Sequence, residues 1–104
     1  MRILFRSIGK AGTLVSSSDS HQFQSGCVVL EAGEEVGEHK TGGGEEIIVL
    51  LEGTAEVSHG RKTETARSPA VALIPAHTSH NVRNASRVPL RYVYVYNMAM
   101  DDSS

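Results

Sequence analysis

An all-β sandwich or barrel is the fold this sequence predicts. No window of about a dozen residues keeps apolar side chains at i, i+3, i+4 and i+7, the pattern of an amphipathic helix. Short β-branched and apolar runs recur instead, roughly every ten residues. Gly, Ser, Asn and Pro punctuate them where the chain must turn. Some eight or nine short strands follow from this reading. That pattern belongs to a sandwich or a closed barrel.

Taken in order, residues 3–6 have the composition of a first strand. Residues 13–25 are polar and serine-rich and read as a loop or a weak edge strand. Residues 26–31 form a strand, and Gly33 turns the chain. Cys27, followed by Val28, Val29 and Leu30, reads as a small buried strand residue rather than a nucleophile. Residues 36–41 are another short strand, broken by Gly42, Gly43 and Gly44. Residues 46–52 carry the strongest strand signal and end at Gly53. Residues 54–58 and 62–66 are the arms of a hairpin with His59 and Gly60 at its turn. Residues 70–74 are a buried strand stopped by Pro75. Residues 80–84 and 90–96 complete the set. Residues 98–104, closing on two aspartates and two serines, read as a frayed tail.

Composition narrows the functions. A chain of 104 residues with 39% apolar side chains suits one domain, residues 1–104, with a barrel core at about 26–97. Its formal net charge of −2 supplies no basic surface for nucleic acid or an anionic membrane. The apolar run at 47–51 is far too short to span a bilayer. The first residues hold no apolar stretch long enough for a secretory signal. One cysteine forms no internal disulfide, so a cytoplasmic location is the expectation. No strand-to-helix nucleophile elbow appears, which argues against a serine hydrolase. The triple glycine lacks the Lys-Ser/Thr that follows a phosphate loop, and reads as a tight turn.

Three ligand-capable side chains stand out. His39 and Glu46 flank the triple glycine, and His80 opens a later strand just after a proline turn. A barrel brings such segments together, so their side chains can converge inside it. Imidazole nitrogen and carboxylate oxygen suit a divalent metal, and two His with one carboxylate is also a non-haem iron set.

The stretch from Gly33 through His39, Thr41 and Glu46 to Gly53 resembles the first cupin motif. That motif reads G, five residues, H-x-H, three or four residues, E, six residues, G. The stretch Pro75-Ala76-His77-Thr78-Ser79-His80-Asn81-Val82-Arg83-Asn84 resembles the second, P-x-G-x-x-H-x-x-x-N, matching at Pro75, His80 and Asn84. The resemblance covers about residues 26–96. It implies a small cupin-type double-stranded β-helix, or jelly-roll barrel. It implies one divalent metal ion per chain (Zn, Ni, Mn or Fe) held by His39, Glu46 and His80. Three positions depart from the pattern. Thr41 replaces the second histidine of H-x-H, Pro69 replaces an opening glycine, and His77 replaces the turn glycine. Thr41 is a poor neutral ligand, so water or substrate is expected in its place. His77 is either a surface turn residue, the favoured reading, or a replacement ligand. Thr41 and His77 are therefore additional site candidates.

Strand parity places other side chains. His39 and Thr41 share one face, as do His80, Val82 and Asn84, leaving Lys40, Asn81 and Arg83 to reach water or a rim. With Glu46 inward, Ile48 and Leu50 follow it, and Ile47, Val49 and Leu51 face out. That outer apolar face wants a cover: a homodimer partner, or the chain's own N-terminal strand. Tyr92, Tyr94 and Tyr96 share a face that reads as a surface or interface row rather than a ligand-stacking platform. His21 and His59 read as exposed loop residues.

Two functions remain open. The first is a metal-dependent enzyme of dioxygenase, isomerase, epimerase or decarboxylase type, acting on a small organic acid, enolate or sugar. The second is a binding module that senses or stores a small molecule or metal. A metal-free scaffold is the third and least supported, since His39, Glu46 and His80 are all present.

Overall fold

The structure, a computed structural model, describes residues 3–98. Among them are nine strands and no helix: β1 (Gly12–Val15), β2 (Phe23–Leu30), β3 (His39–Lys40), β4 (Glu46–Glu52), β5 (Thr54–His59), β6 (Lys62–Arg67), β7 (Ala70–Ile74), β8 (Ser79–Arg83) and β9 (Leu90–Asn97). Two antiparallel sheets face each other, ordered β1-β2-β9-β4-β7 and β3-β8-β5-β6. This is the all-β jelly-roll layout expected from the alternating runs. Among the described residues no helix is long and apolar enough to cross a membrane.

Period-two alternation explains the core. On β4, Ile48 and Leu50 are 2% and 1% exposed, while Ile47 between β4's inner residues is 41% exposed. Val82 from β8 and Ala55 from β5 meet them from the second sheet, with Leu30, Ile74, Leu90 and Tyr92 completing the cluster. Full burial of each large apolar side chain contributes roughly 1.5–3 kcal/mol. β2 and β9 pair along their whole length, from Phe23↔Asn97 to Leu30↔Leu90, and make the spine of the larger sheet.

The corner between sheets falls at Gly53. The β4–β9 ladder shifts register between Leu50 and Glu52, and the chain then turns at Gly53 with φ +89°. A Cβ there would run into the Pro89 carbonyl and stand 2.9 Å from Leu90 Cα, both backbone. Only glycine fits this corner. The Gly53 carbonyl also accepts the Ser68 N–H at 2.9 Å, tying the corner to the end of β6.

Asn84 anchors the other end. It is fully buried. Its amide donates to the carbonyls of Leu30 (3.0 Å) and Val88 (2.8 Å) and its Oδ1 accepts from Ser86 N and Oγ. Backbone bonds join it to Gly33 and Glu34. One side chain thus ties together the ends of β2 and β8 and the approach to β9.

Several expected boundaries move. Residues 3–6 form no strand, and Ile3 and Phe5 are 76% and 85% exposed. β1, at Gly12–Val15, takes the sheet edge beside β2 instead. The N-terminal segment is tied by Arg6, whose guanidinium bonds the Leu14 carbonyl and pairs with Asp19 at 2.7 Å. That bond, with the Ser16 N–H, holds the Asp19 carboxyl well below the usual carboxylate range. β2 begins at Phe23 rather than residue 26, because β9 extends far enough to pair it. The strand expected over 36–41 shrinks to His39–Lys40 plus an isolated bridge Glu35↔Arg83. Gly37, at φ +106°, breaks the ladder between them. The frayed tail expected over 98–104 begins with Met98, whose N–H donates to the Gln22 carbonyl at 2.7 Å; the rest lies outside the described residues.

Candidate metal centre

The site forms where the two sheets face each other. His39 opens β3 and pairs in register with His80 on β8. Their ring centroids lie 4.2 Å apart. Glu46 opens β4 on the opposite sheet and reaches across. Ligand atoms of His39, Glu46 and His80 all lie within 4.8 Å of one another. Two donors sharing an ion at about 2.1 Å each stand no more than about 4 Å apart, so side-chain shifts of under about 1 Å close the group on one ion.

Hydrogen bonds decide which ring nitrogens are free. His39 Nδ1 lies 3.0 Å from the Gly37 carbonyl, and His80 Nδ1 lies 3.1 Å from the Thr78 carbonyl. A carbonyl only accepts, so both Nδ1 atoms carry hydrogen and both Nε2 atoms are left as donors to an ion. His80 Nε2 lies 3.2 Å from Glu46 Oε1, with His80 1% and Glu46 12% exposed. A ring nitrogen and a carboxylate oxygen at this distance cannot both present lone pairs. A proton or a cation must sit between them. The donor set therefore fits a divalent ion.

Thr41 is placed beside the site but is fully engaged. It is 4% exposed. Its hydroxyl donates to the Pro75 carbonyl at 2.7 Å and accepts the Thr78 N–H at 2.9 Å. Its N–H donates to the Thr78 carbonyl at 3.1 Å, the same carbonyl that orients His80. Thr41 is thus a latch on the 75–78 turn. His77 occupies that turn, exposed, with φ +56°. It holds the left-handed conformation that the motif usually gives to glycine. Its N–H donates to the Gly42 carbonyl at 2.9 Å. It is not part of the His39–Glu46–His80 group.

Two readings of the sequence need correction. The tyrosine row does not face the surface. Tyr92, Tyr94 and Tyr96 pair with Leu50, Ile48 and Glu46, and all three line a cavity of about 450 Å³ that also contains His39, Glu46 and His80. Parity showed that the three share a face and could not show which face is inside. Gly26 makes room for Tyr94: a Cβ there would stand 2.7 Å from its hydroxyl. Burial, then the negative charge of Glu46, pushes the Tyr92 phenol well above its ordinary range, so it stays protonated. His59 likewise lies in a strand and not in a loop, although its ring is partly exposed. It ends β5, pairs with Lys62 and holds Glu64 Oε2 at 2.7 Å. It borders a second cavity of about 370 Å³ that also reaches His80. Arg83 is exposed as parity requires and pairs with Glu56 at 3.3 Å, but on the short β3 parity separates little: His39 and Lys40 are both exposed and both border the larger cavity, and Asn81 is half-buried, accepting the Gly37 N–H at 2.8 Å.

Among the described residues, the outer face of the larger sheet carries exposed apolar side chains. Ile47 and Leu51 on β4 and Val71 and Leu73 on β7 are all exposed, Val71 by 69%. Residues 3–6 supply no strand to cover them.

A family model described as Cupin domain matches residues 26–96. No curated protein matches the chain. Among solved structures, the chain is similar to the cupin domain of Cnp3 from Schizosaccharomyces pombe, with TM-score 0.78 and 19% identity over 86% of this chain and 64% of that one. The chain thus spans just under two thirds of that relative's length. It is similar to a Thermotoga maritima protein described as a predicted oxalate decarboxylase, with TM-score 0.79 and 23% identity over 86% of this chain and 79% of that one. It is also similar to a Bacillus halodurans protein, with TM-score 0.76 and 23% identity over 92% and 75% of the two chains. At these identities the likeness concerns the fold.

Proposed function

This chain belongs to the cupin domain family, and from that premise we propose that His39, Glu46 and His80 hold one divalent metal ion facing a small-molecule cavity. The observation that carries this reading is the buried contact between His80 Nε2 and Glu46 Oε1 at 3.2 Å. A cation resolves that contact without a buried unpaired charge. Zinc, nickel, manganese and ferrous iron all suit two imidazoles and a carboxylate.

When bound, the ion would polarise a ligand oxygen as a Lewis acid. The chain's own groups bind and orient the ligand. The cavity of about 450 Å³ is of small-molecule size. Tyr92, Tyr94 and Tyr96 offer phenol hydroxyls and ring faces on one wall, and exposed Lys40 offers a positive charge at the rim. Ile48, Val82 and Val28 keep the wall behind the ligand apolar. Small organic acids or sugar-like molecules suit that lining. Decarboxylation joins dioxygenase and isomerase chemistry among the reactions to assay, given the likeness to a protein described as a predicted oxalate decarboxylase. A binding or sensing module is the alternative, and turnover of a candidate substrate separates the two.

A homodimer is part of this reading. β7 is an open sheet edge, and the exposed Ile47, Leu51, Val71 and Leu73 beside it form a continuous apolar strip that a second copy would cover. A cytoplasmic setting suits the free, buried Cys27.

The test is elemental analysis of untagged protein purified without chelator, beside His80→Ala. Near-stoichiometric metal in the parent, falling by more than about tenfold in affinity in the variant, is the expected result. Equal metal content in both sinks the assignment.

A further inference from the structure

A second cavity opens where the two sheets part. β6 ends the four-stranded sheet and β7 ends the five-stranded one. The space between them is about 370 Å³, within the range of small-molecule sites. β5 pairs with β8 through Glu56↔Arg83, Val57↔Val82 and Ser58↔Asn81, and one further step of that register sets His59 opposite His80. His80 therefore borders this cavity too, while His39 and Glu46 lie outside its lining.

Strand parity sorts the walls. Val57 and Ala66 pack against the core from β5 and β6, and Ala72 does so from β7 beside the buried Ile74. These four make an aliphatic wall. Glu64 is the ladder partner of Val57 and shares its inward face, as does His59, two residues on from Val57. Thr65 borders the cavity from β6 as well, but its side chain takes the other face of that strand. Glu64 is 71% exposed and the His59 ring 36%, which puts the polar end at the mouth. Among the described residues no Lys or Arg borders the cavity, so Glu64 is its one fixed charge. Lys62, opposite His59 in the ladder, is exposed and outside the lining.

Hydrogen bonding leaves this polar end rich in acceptors. His59 Nε2 lies 2.7 Å from Glu64 Oε2. A carboxylate only accepts, so Nε2 carries the hydrogen and the neutral ring keeps a lone pair on Nδ1. Neither His59 Nδ1 nor Glu64 Oε1 has a hydrogen-bond partner among the described residues. Thr78 spends its hydroxyl proton on the Ala76 carbonyl at 3.1 Å. Both nitrogens of His80 are engaged, by the Thr78 carbonyl and by Glu46. A ligand that brings donors and positive charge complements such an end, whereas Glu64 repels an anion. An ammonium group is all donor.

We propose that this cavity binds a small alkylamine, which enters between β6 and β7, sets its ammonium on Glu64 and His59 and lays its chain along Val57, Ala66, Ala72 and Ile74. The aliphatic wall supplies most of the affinity and the mouth supplies the choice of charge. The site is separate from the His39–Glu46–His80 group and needs no metal ion there.

The experiment titrates the full chain, isotope-labelled for residue-resolved NMR, with pentylamine, pentanol and hexanoate, which share one alkyl chain and differ in charge. The expected result is saturable binding of pentylamine with shifts gathered on β6, β7 and His59. It should be at least about threefold tighter than pentanol, and hexanoate should be weaker still. Added salt should narrow the gap between amine and alcohol. Glu64→Gln, with its fold checked by circular dichroism, should lose the preference for the amine while pentanol binding stays within about twofold of the parent. The proposal is overturned if pentanol or hexanoate binds as tightly as pentylamine, if Glu64→Gln binds the amine as the parent does, or if the shifts gather on His39, Lys40 and the tyrosines of the other cavity. Binding of none of the three also overturns it, and leaves Glu64 as an inward charge that guards an open sheet edge from pairing. None of these outcomes bears on metal content, so the metal reading stands or falls by its own test.

Discussion

The Thr78 carbonyl accepts from both Thr41 N (3.1 Å) and His80 Nδ1 (3.1 Å). Residue 41, where the family pattern places a metal-binding histidine, therefore acts on the site through the backbone of the turn that aims His80. Its hydroxyl bridges the Pro75 carbonyl and the Thr78 N–H at the same time. This arrangement makes Thr41 a positioning residue.

Thr41→Val keeps the shape and removes the hydroxyl. It strands the half-buried Thr78 N–H, at a cost of about 1–3 kcal/mol. Melting should fall accordingly, and metal affinity should fall severalfold as His80 loses its fixed aim. Thr41→Ser, which keeps both bonds, should behave as the parent. Equal metal titrations for Thr41→Val and the parent would refute the positioning role.

Asn84→Ala removes a fully buried amide that ties Leu30, Ser86 and Val88 together. Unpaired carbonyls and the cavity left behind should cost roughly 2–4 kcal/mol. Chemical denaturation measures the loss. Metal affinity per folded molecule should be unchanged, because the side-chain hydrogen bonds of Asn84 go to Leu30, Val88 and Ser86 and not to His80 or Glu46.

Gly53→Ala tests the corner between sheets. At φ +89° any other residue pays about 1–2 kcal/mol for the left-handed conformation alone. The collision with the Pro89 and Leu90 backbone adds to it. The expected outcome is a loss of at least about 3 kcal/mol in equilibrium unfolding. A near-neutral result would mean the β4–β5 corner relaxes easily.

Tyr92 predicts a pH dependence at the alkaline end. Burial, with the Glu46 charge and Tyr94, raises the folded-state value of the phenol above the unfolded one. Between the two values the folded chain binds the proton and the unfolded chain does not. Stability is therefore fully present below about pH 10 and falls as pH rises above it. Urea denaturation of the metal-free protein across that range should show the slope, and Tyr92→Phe should reduce it.

Much of this architecture was legible in the chain. The alternation of residues 46–52 predicts β4 with Ile48 and Leu50 inside, and 70–74 and 90–96 correspond to β7 and β9; β7, however, expected to be buried, is an edge strand with Val71 and Leu73 exposed, because a run of apolar residues does not tell a central strand from an edge one. The spacing of His39, Glu46 and His80 singles out the three side chains that the fold brings within 4.8 Å. Period-two patterning and motif spacing are local properties, and these features depend on little else.

The remainder needed the folded chain. A period of two tells which residues share a face and never which face is inside, so only the pairing of β9 between β2 and β4 places Tyr92, Tyr94 and Tyr96 inside the barrel. Residues 3–6 have strand composition, yet a strand exists only where a neighbour offers hydrogen bonds, and β1 holds that place beside β2. Thr41 looked like a missing ligand because its partners, Pro75 and Thr78, lie more than thirty residues away. His59 looked like a turn residue because its neighbour across the sheet, His80, belongs to a later strand. The sequence by itself determined the strands and the identity of the donor atoms; tertiary pairing decided which donors face one another, since contact across a sheet is set by register between distant segments.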